Sequence, residues 1–135
     1  MKKIYIDIDG VLLTSRHTQA APGAKALIDF VTKHFDCYWL SSYCKGDAAP
    51  VLRLLSRYFD KATMEKLAGV KATDWRRQKT DAIDFESDFY WLDDNPSNSA
   101  IQELKQHDCL DKLILVDLSR EDELKRITKY LTQRY

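Results

Sequence analysis

Hydrophobic residues fall into short blocks of two kinds, and the two kinds alternate along the chain. Residues 4–8 are β-branched or aromatic apart from Asp7 and read as a buried strand. Residues 37–40, 89–92 and 113–116 are further apolar runs of strand length. Between them, apolar residues recur at spacings of three and four. Leu27, Phe30, Val31 and Phe35 form one such stripe, and Val51, Leu52, Leu54, Leu55 and Phe59 a second. Ile101 and Leu104, then Leu124, Ile127 and Leu131, mark two more. These stripes predict amphipathic helices. Pro22 suits the first turn of the first helix. Asp47 suits the N-cap of the second, and Ser97 or Asn98 the start of the helix carrying Ile101. Ser119 followed by Asp122 predicts a capping box, with Asp in place of Glu, ahead of the last helix.

Two stretches lack a period. Residues 11–22 are a polar connection, expected to form a small hairpin. Residues 60–74 are expected to hold a short helix and a short edge strand near Val70, after which Thr73 or Asp74 caps a helix through Ile83. The strand–helix alternation predicts an α/β fold: a Rossmann-like three-layer α/β/α sandwich around a mostly parallel central sheet of about five strands. At 135 residues the chain has the length of one domain.

Charge removes some function classes. The 21 basic and 21 acidic residues cancel, so no global field draws in nucleic acid or an anionic membrane. No run approaches the roughly 20 apolar residues of a membrane span. Cys37, Cys44 and Cys109 are too dispersed for a disulfide framework or a zinc site, which predicts reduced thiols in a cytoplasmic protein.

The chemistry gathers at strand ends. The first strand ends Asp7-Ile8-Asp9-Gly10, the second Ser41-Ser42, and the third long run Asp93-Asp94. Ligands of an open parallel sheet bind beyond the carboxyl ends of its strands, so these residues converge if their strands are neighbours. A carboxylate near the core is costly unless paired or metal-bound. Three or four together repel unless a hard cation neutralises them, and magnesium takes oxygen ligands of this kind. An aspartate at a strand end is individually an ordinary loop former. Two acidic motifs, each directly after an apolar strand, point instead to a site.

The residues from Ile4 to Val11, with Asp7-Ile8-Asp9 at their centre, resemble the first motif of the haloacid dehalogenase-like superfamily. Trp39-Leu40-Ser41 resembles its second motif, Lys79-Thr80-Asp81-Ala82-Ile83 its third, and Tyr90-Trp91-Leu92-Asp93-Asp94 its fourth. The four stand in the family order across residues 4–94. The first and fourth are specific; the second and third gain weight from the joint match. Ser42 is an alternative to Ser41, and Lys71 or Lys66 to Lys79.

The resemblance implies a magnesium-dependent phosphatase acting on a phosphate monoester through an aspartyl-phosphate. Asp7 is the implied nucleophile and Asp9 the general acid and base. Ser41 and Lys79 are the implied partners of the phosphoryl oxygens. Asp7, the backbone carbonyl of Asp9 and Asp93 are the implied magnesium ligands, with Asp94 as a ligand or a supporting partner. Asp9 argues for a phosphatase or phosphotransferase, because family dehalogenases and transport ATPases lack it. Residues 11–22 leave room only for a flap, and residues 43–78 are mostly needed for the crossover. The chain therefore resembles the capless members, which implies a bulky substrate such as a phosphoprotein, a nucleic-acid end or a large metabolite.

Other classes fare worse. A phosphoryl-receiver domain has its acidic pair first in the chain and its lysine last, the reverse of the order here. A non-catalytic phospho-ligand module would be marked by a lost Asp7 or Asp9, and both are present. Hydrolysis and phosphotransfer share one phosphoenzyme, so the motifs leave both open. Trp75, Arg76, Arg77 and Lys79 form a basic, aromatic cluster that reads first as a solvated helix start, and second as a grip for a polyanion. His17, His34 and His107 lack metal-ligand spacing.

Overall fold

Four of the apolar runs become strands in a computed structural model that describes residues 1–135: β1 (Lys3–Ile6), β2 (Asp36–Trp39), β3 (Phe89–Asp93) and β4 (Leu113–Leu115). They pair in the order β2-β1-β3-β4, every pair parallel. Parallel neighbours need long crossovers. These contain α1 (Ala24–His34), then α2 (Ala49–Leu55) and α3 (Lys61–Leu67), then α4 (Asn98–Gln106); α5 (Glu123–Thr132) follows the last strand. The molecule is thus an α/β protein with a four-stranded parallel sheet and five α-helices. No helix is long and apolar enough to cross a membrane.

The strand count is one below expectation. The edge strand sought near Val70 shrinks to a single bridge between Lys71 and Tyr38. There the Lys71 N–H donates to the Cys37 carbonyl at 2.9 Å, and the Lys71 carbonyl accepts from Trp39 N–H at 2.8 Å. Two residues later the chain has left the ladder. Thr73 Oγ1 donates to the Trp39 carbonyl, and the Thr73 carbonyl accepts from Gly46 N–H at 2.8 Å. Its polar groups are satisfied by a loop rather than by a strand partner.

The two central strands bury residues on both faces. Ile4, Ile6, Tyr90 and Leu92 join the larger core cluster with Leu27, Ile28 and Val31 of α1 and Leu124, Ile127 and Leu131 of α5. The alternate residues Tyr5, Phe89 and Trp91 join a smaller cluster with Ala100 and Leu104 of α4. This period-two partition explains why the runs read as continuously apolar. Cys37 and Cys44 are buried free thiols, and Cys109 is a partly buried one.

Helix starts follow local chemistry with four corrections. Ser97 caps α4 as expected, accepting from Ala100 N–H at 3.1 Å, and Asp60 caps α3. Asp47 lies one residue before the cap of α2, yet its Oδ1 still accepts from Ala49 N–H at 2.9 Å. Pro22 falls outside α1, because Gly23 at φ 82° is the cap. The Ser119 capping box does not form: the Ser119 N–H and hydroxyl both donate to Asp117 Oδ1, at 3.0 and 2.6 Å. The buried Glu123 carboxylate reaches back instead and accepts from Asp117 N–H at 2.8 Å. The helix expected from Thr73 or Asp74 through Ile83 is reduced to one 3-10 turn, Lys79–Ala82, started by reciprocal Gln78 and Asp81 side-chain bonds. Thr73 cannot cap it, because its hydroxyl is committed to Trp39.

Candidate functional site

The chain runs from β1 outward to β2, then returns to place β3 on the other side of β1. The gap between β1 and β3 is therefore the topological switch point, where open parallel sheets bind their ligands. Asp7 is the first residue beyond β1, and Asp93 is the last of β3. The Asp7 N–H donates to the Leu92 carbonyl at 3.1 Å, which ties its backbone to β3.

Both carboxylates are buried: Asp7 is 8% exposed and Asp93 1%. One ammonium serves both, since Lys79 Nζ lies 2.7 Å from Asp93 Oδ2 and 3.2 Å from Asp7 Oδ2. The second Asp93 oxygen accepts from Asn95 N–H at 2.8 Å. Carboxylate oxygens of Asp7, Asp93 and the exposed Asp94 lie within 4.8 Å of one another. Lys66 and Lys71, the alternatives to Lys79, pair elsewhere, with Asp29 and Asp36.

This crowding sets the protonation chemistry. Burial pushes the Asp7 carboxyl up, and the Asp93 charge pushes it further. Lys79 and the Ile8 N–H offset this only in part, so Asp7 sits at about 7. Asp94 is also raised, by burial and then by Asp93. Burial draws the Lys79 ammonium down, but Asp7 and Asp93 together hold it above its ordinary value. The donor set suits a hard cation: three carboxylates converge, only oxygens are offered, and one lysine underneutralises them.

Gly10 makes this convergence possible. Its φ is +78°, and a Cβ built on it would stand 2.1 Å from Asp94 Oδ2. Any side chain there displaces Asp94.

The other anticipated residues occupy the same edge of the sheet. Leu40 N–H donates to the Ile6 carbonyl at 2.9 Å, so Ser41 and Asp7 leave neighbouring strands side by side. Ser41 is buried, and its Oγ accepts from Tyr43 N–H at 3.1 Å, which leaves the hydroxyl proton for another acceptor. Ser42 is exposed. The Asp9 side chain stands apart from the three-carboxylate cluster and is exposed. The Tyr43 hydroxyl donates to its Oδ2 at 2.8 Å. That bond, followed by burial, raises the Tyr43 phenol. Sequence reasoning passed over Tyr43; an aromatic residue two positions past Ser41 was the only available signal.

Lys45, in the loop after Ser41, and two of the three histidines have structural partners. Lys45 Nζ lies 3.4 Å from the centroid of the Trp75 ring and donates to the Trp75 carbonyl. His107 stacks on Phe85, and His34 packs against Phe30 and Tyr135. His17 occupies a left-handed turn in the connection from β1 to α1. Compared with family models, with curated proteins and with solved structures, the chain matches none.

Proposed function

We propose that this protein is a magnesium-dependent phosphohydrolase of the haloacid dehalogenase type, acting on a phosphate monoester. The observation that carries this reading is Lys79 bridging buried Asp7 and Asp93, with Asp94 in reach, at the switch point of a parallel sheet. A purely structural ion pair would not need an extra buried carboxylate, because such a group destabilises the fold. In the same reading the sheet is the middle layer of a Rossmann-like three-layer sandwich.

An oxygen of Asp7 attacks phosphorus, and the bond to the leaving oxygen breaks as Asp9 gives that oxygen its proton. Water then attacks the aspartyl-phosphate and passes its proton to Asp9, releasing phosphate and restoring the Asp7 carboxylate. Lys79 stabilises negative charge on the transferring group, and Ser41 donates its free hydroxyl proton to a phosphoryl oxygen. Tyr43 holds Asp9 by the hydrogen bond already described. Asp7, Asp93, Asp94 and the Asp9 carbonyl would hold magnesium, whose charge would keep Asp7 ionised and offset that of the phosphate.

The test is phosphate release from an aryl phosphate, with magnesium or with EDTA, in wild type and Asp7→Asn. Release that needs magnesium and falls by at least about 10³-fold in Asp7→Asn supports the reading. Equal turnover by the two proteins overturns Asp7 as nucleophile. Magnesium should also raise the melting temperature of wild type more than that of Asp93→Asn.

A further inference from the structure

We propose that the substrate carries a second anionic group, and that Arg16 and Arg120 bind it; this rests on the phosphatase reading above. A cleft of about 610 Å³ opens directly on Gly10 and Asp94. Its lining includes Thr14, Ser15 and Arg16 from the connection after β1 and residues 117–120 from the connection after β4. A transferable phosphate is far smaller than this space, so the cleft is the natural seat of the leaving group.

Electrostatics selects the leaving group's character. Asp7, Asp9, Asp93 and Asp94, when ionised, outweigh Lys79 by three charges, and a divalent cation still leaves the centre negative. A phosphate ester approaching it needs further cations. Lys45 is committed to Trp75. Arg16 and Arg120 are the only basic side chains lining the cleft. Arg16 has no ion-pair partner, and the Arg120 guanidinium stands 3.7 Å from Asp117, a loose and exposed pairing.

Both arginines sit on pinned turns, which lowers the entropy lost on binding. The Arg16 turn is closed by Thr14 N–H donating to the Gln19 carbonyl at 2.9 Å and by a Leu13–Ala20 bridge. The Arg120 turn is fixed by Ser119 on Asp117 and by the buried Glu123 carboxylate beneath. Two guanidinium groups lining one cleft offer paired N–H donors of the kind that bind carboxylate and phosphate. Ser15 adds a hydroxyl to the lining for the scaffold between the two anionic groups.

The chemistry has two sources, a small bisphosphate or a phosphorylated nucleotide chain whose second anion is the adjacent phosphodiester. Steady-state kinetics should compare 4-nitrophenyl phosphate with fructose 1,6-bisphosphate and with a terminally phosphorylated dinucleotide. At least one two-anion substrate should exceed the aryl ester in kcat/KM by tenfold or more, and which one identifies the source. R16A and R120A should each lower that preference ratio at least tenfold, mainly through KM. R77A, which removes the same charge outside the cleft, should preserve it. A ratio near one in wild type, or one that R16A and R120A leave intact, overturns the proposal. Calorimetric binding of both two-anion compounds to Asp7→Asn separates the two layers. Binding that weakens tenfold in the D7N/R16A double variant, without turnover in wild type, keeps the anion site and rejects the phosphatase. Absence of both rejects both.

Discussion

The acidic residues of the site divide into a buried half and an exposed half. Asp7 and Asp93 lie inside the protein and share Lys79, whereas Asp9 and Asp94 face outward. The buried half is electrostatically expensive: two carboxylates have one counter-charge, and Asp7 is displaced to about 7. The exposed half is held by lighter means, a tyrosine hydroxyl on Asp9 and the absence of a Cβ beside Asp94. The contrast teaches where the molecule concentrates the electrostatic cost of the proposed site. That cost falls on Asp7, the proposed nucleophile, while Asp9, the proposed proton carrier, stays in water.

Removing the shared cation should break the contrast most severely. Lys79→Met leaves two buried carboxylates uncompensated and should cost about 3–5 kcal/mol in urea unfolding without metal. Asp9→Asn, on the exposed side, should change stability by less than about 0.5 kcal/mol. Millimolar magnesium should recover part of the Lys79→Met loss.

Acidity probes the same difference. The folded Asp7 carboxyl at about 7 lies above its unfolded value near 3.9, so between these limits the native state binds more protons than the unfolded one. The Asp7 contribution to stability is therefore complete below about pH 4 and is lost as pH rises through 7. Relative to Asp7→Asn, metal-free wild type should lose up to about 4 kcal/mol between pH 4 and 8. Chemical denaturation of both proteins across that range measures it. The same proton competes with magnesium, so the metal should stabilise wild type more at pH 8 than at pH 5.

The exposed half should respond to smaller changes. Gly10→Ala puts a Cβ where Asp94 Oδ2 now lies and strains a positive φ. It should cost about 1–2 kcal/mol and shift the midpoint of a magnesium titration upward. Tyr43→Phe removes the hydrogen bond to Asp9 and should leave the melting temperature within about 1 °C, because the bond is exposed. Its effect should fall on kcat, by a few-fold, as the proton carrier loses its positioning partner.

The legibility of the site follows the same division. Asp7, Ser41 and Asp93 could be read because each interrupts or ends an apolar strand, and burial on both faces makes such strands plain in a sequence. Lys79 was offered by the motif resemblance, with Lys66 and Lys71 as alternatives, and it opens a 3-10 turn where an α-helix was expected. Four strands were anticipated as runs and formed; the fifth was not sustained beyond the Lys71 bridge. Its chain is shaped by contacts to Trp39 and Gly46, partners distant in sequence and invisible to periodicity. Tyr43, Arg16 and Arg120 escaped notice for the same reason. Each lies on an irregular turn whose direction is set by hydrogen bonds, and a turn residue's reach is not written in hydrophobic spacing.

The position of β1 between β2 and β3 has a consequence for how the protein is made. During synthesis β1 can pair with β2 soon after α1 has formed, since only that crossover separates them. Its other edge pairs with β3, from Lys3 opposite Phe89 to Ile6 opposite Leu92, and must wait for most of the chain. Such long-range parallel pairing is the slow kind. Until it forms, Asp7 has neither Asp93 to repel it nor Lys79 to hold it, and the proposed site does not exist in the nascent chain. Closing the sheet and assembling the proposed site are one late event.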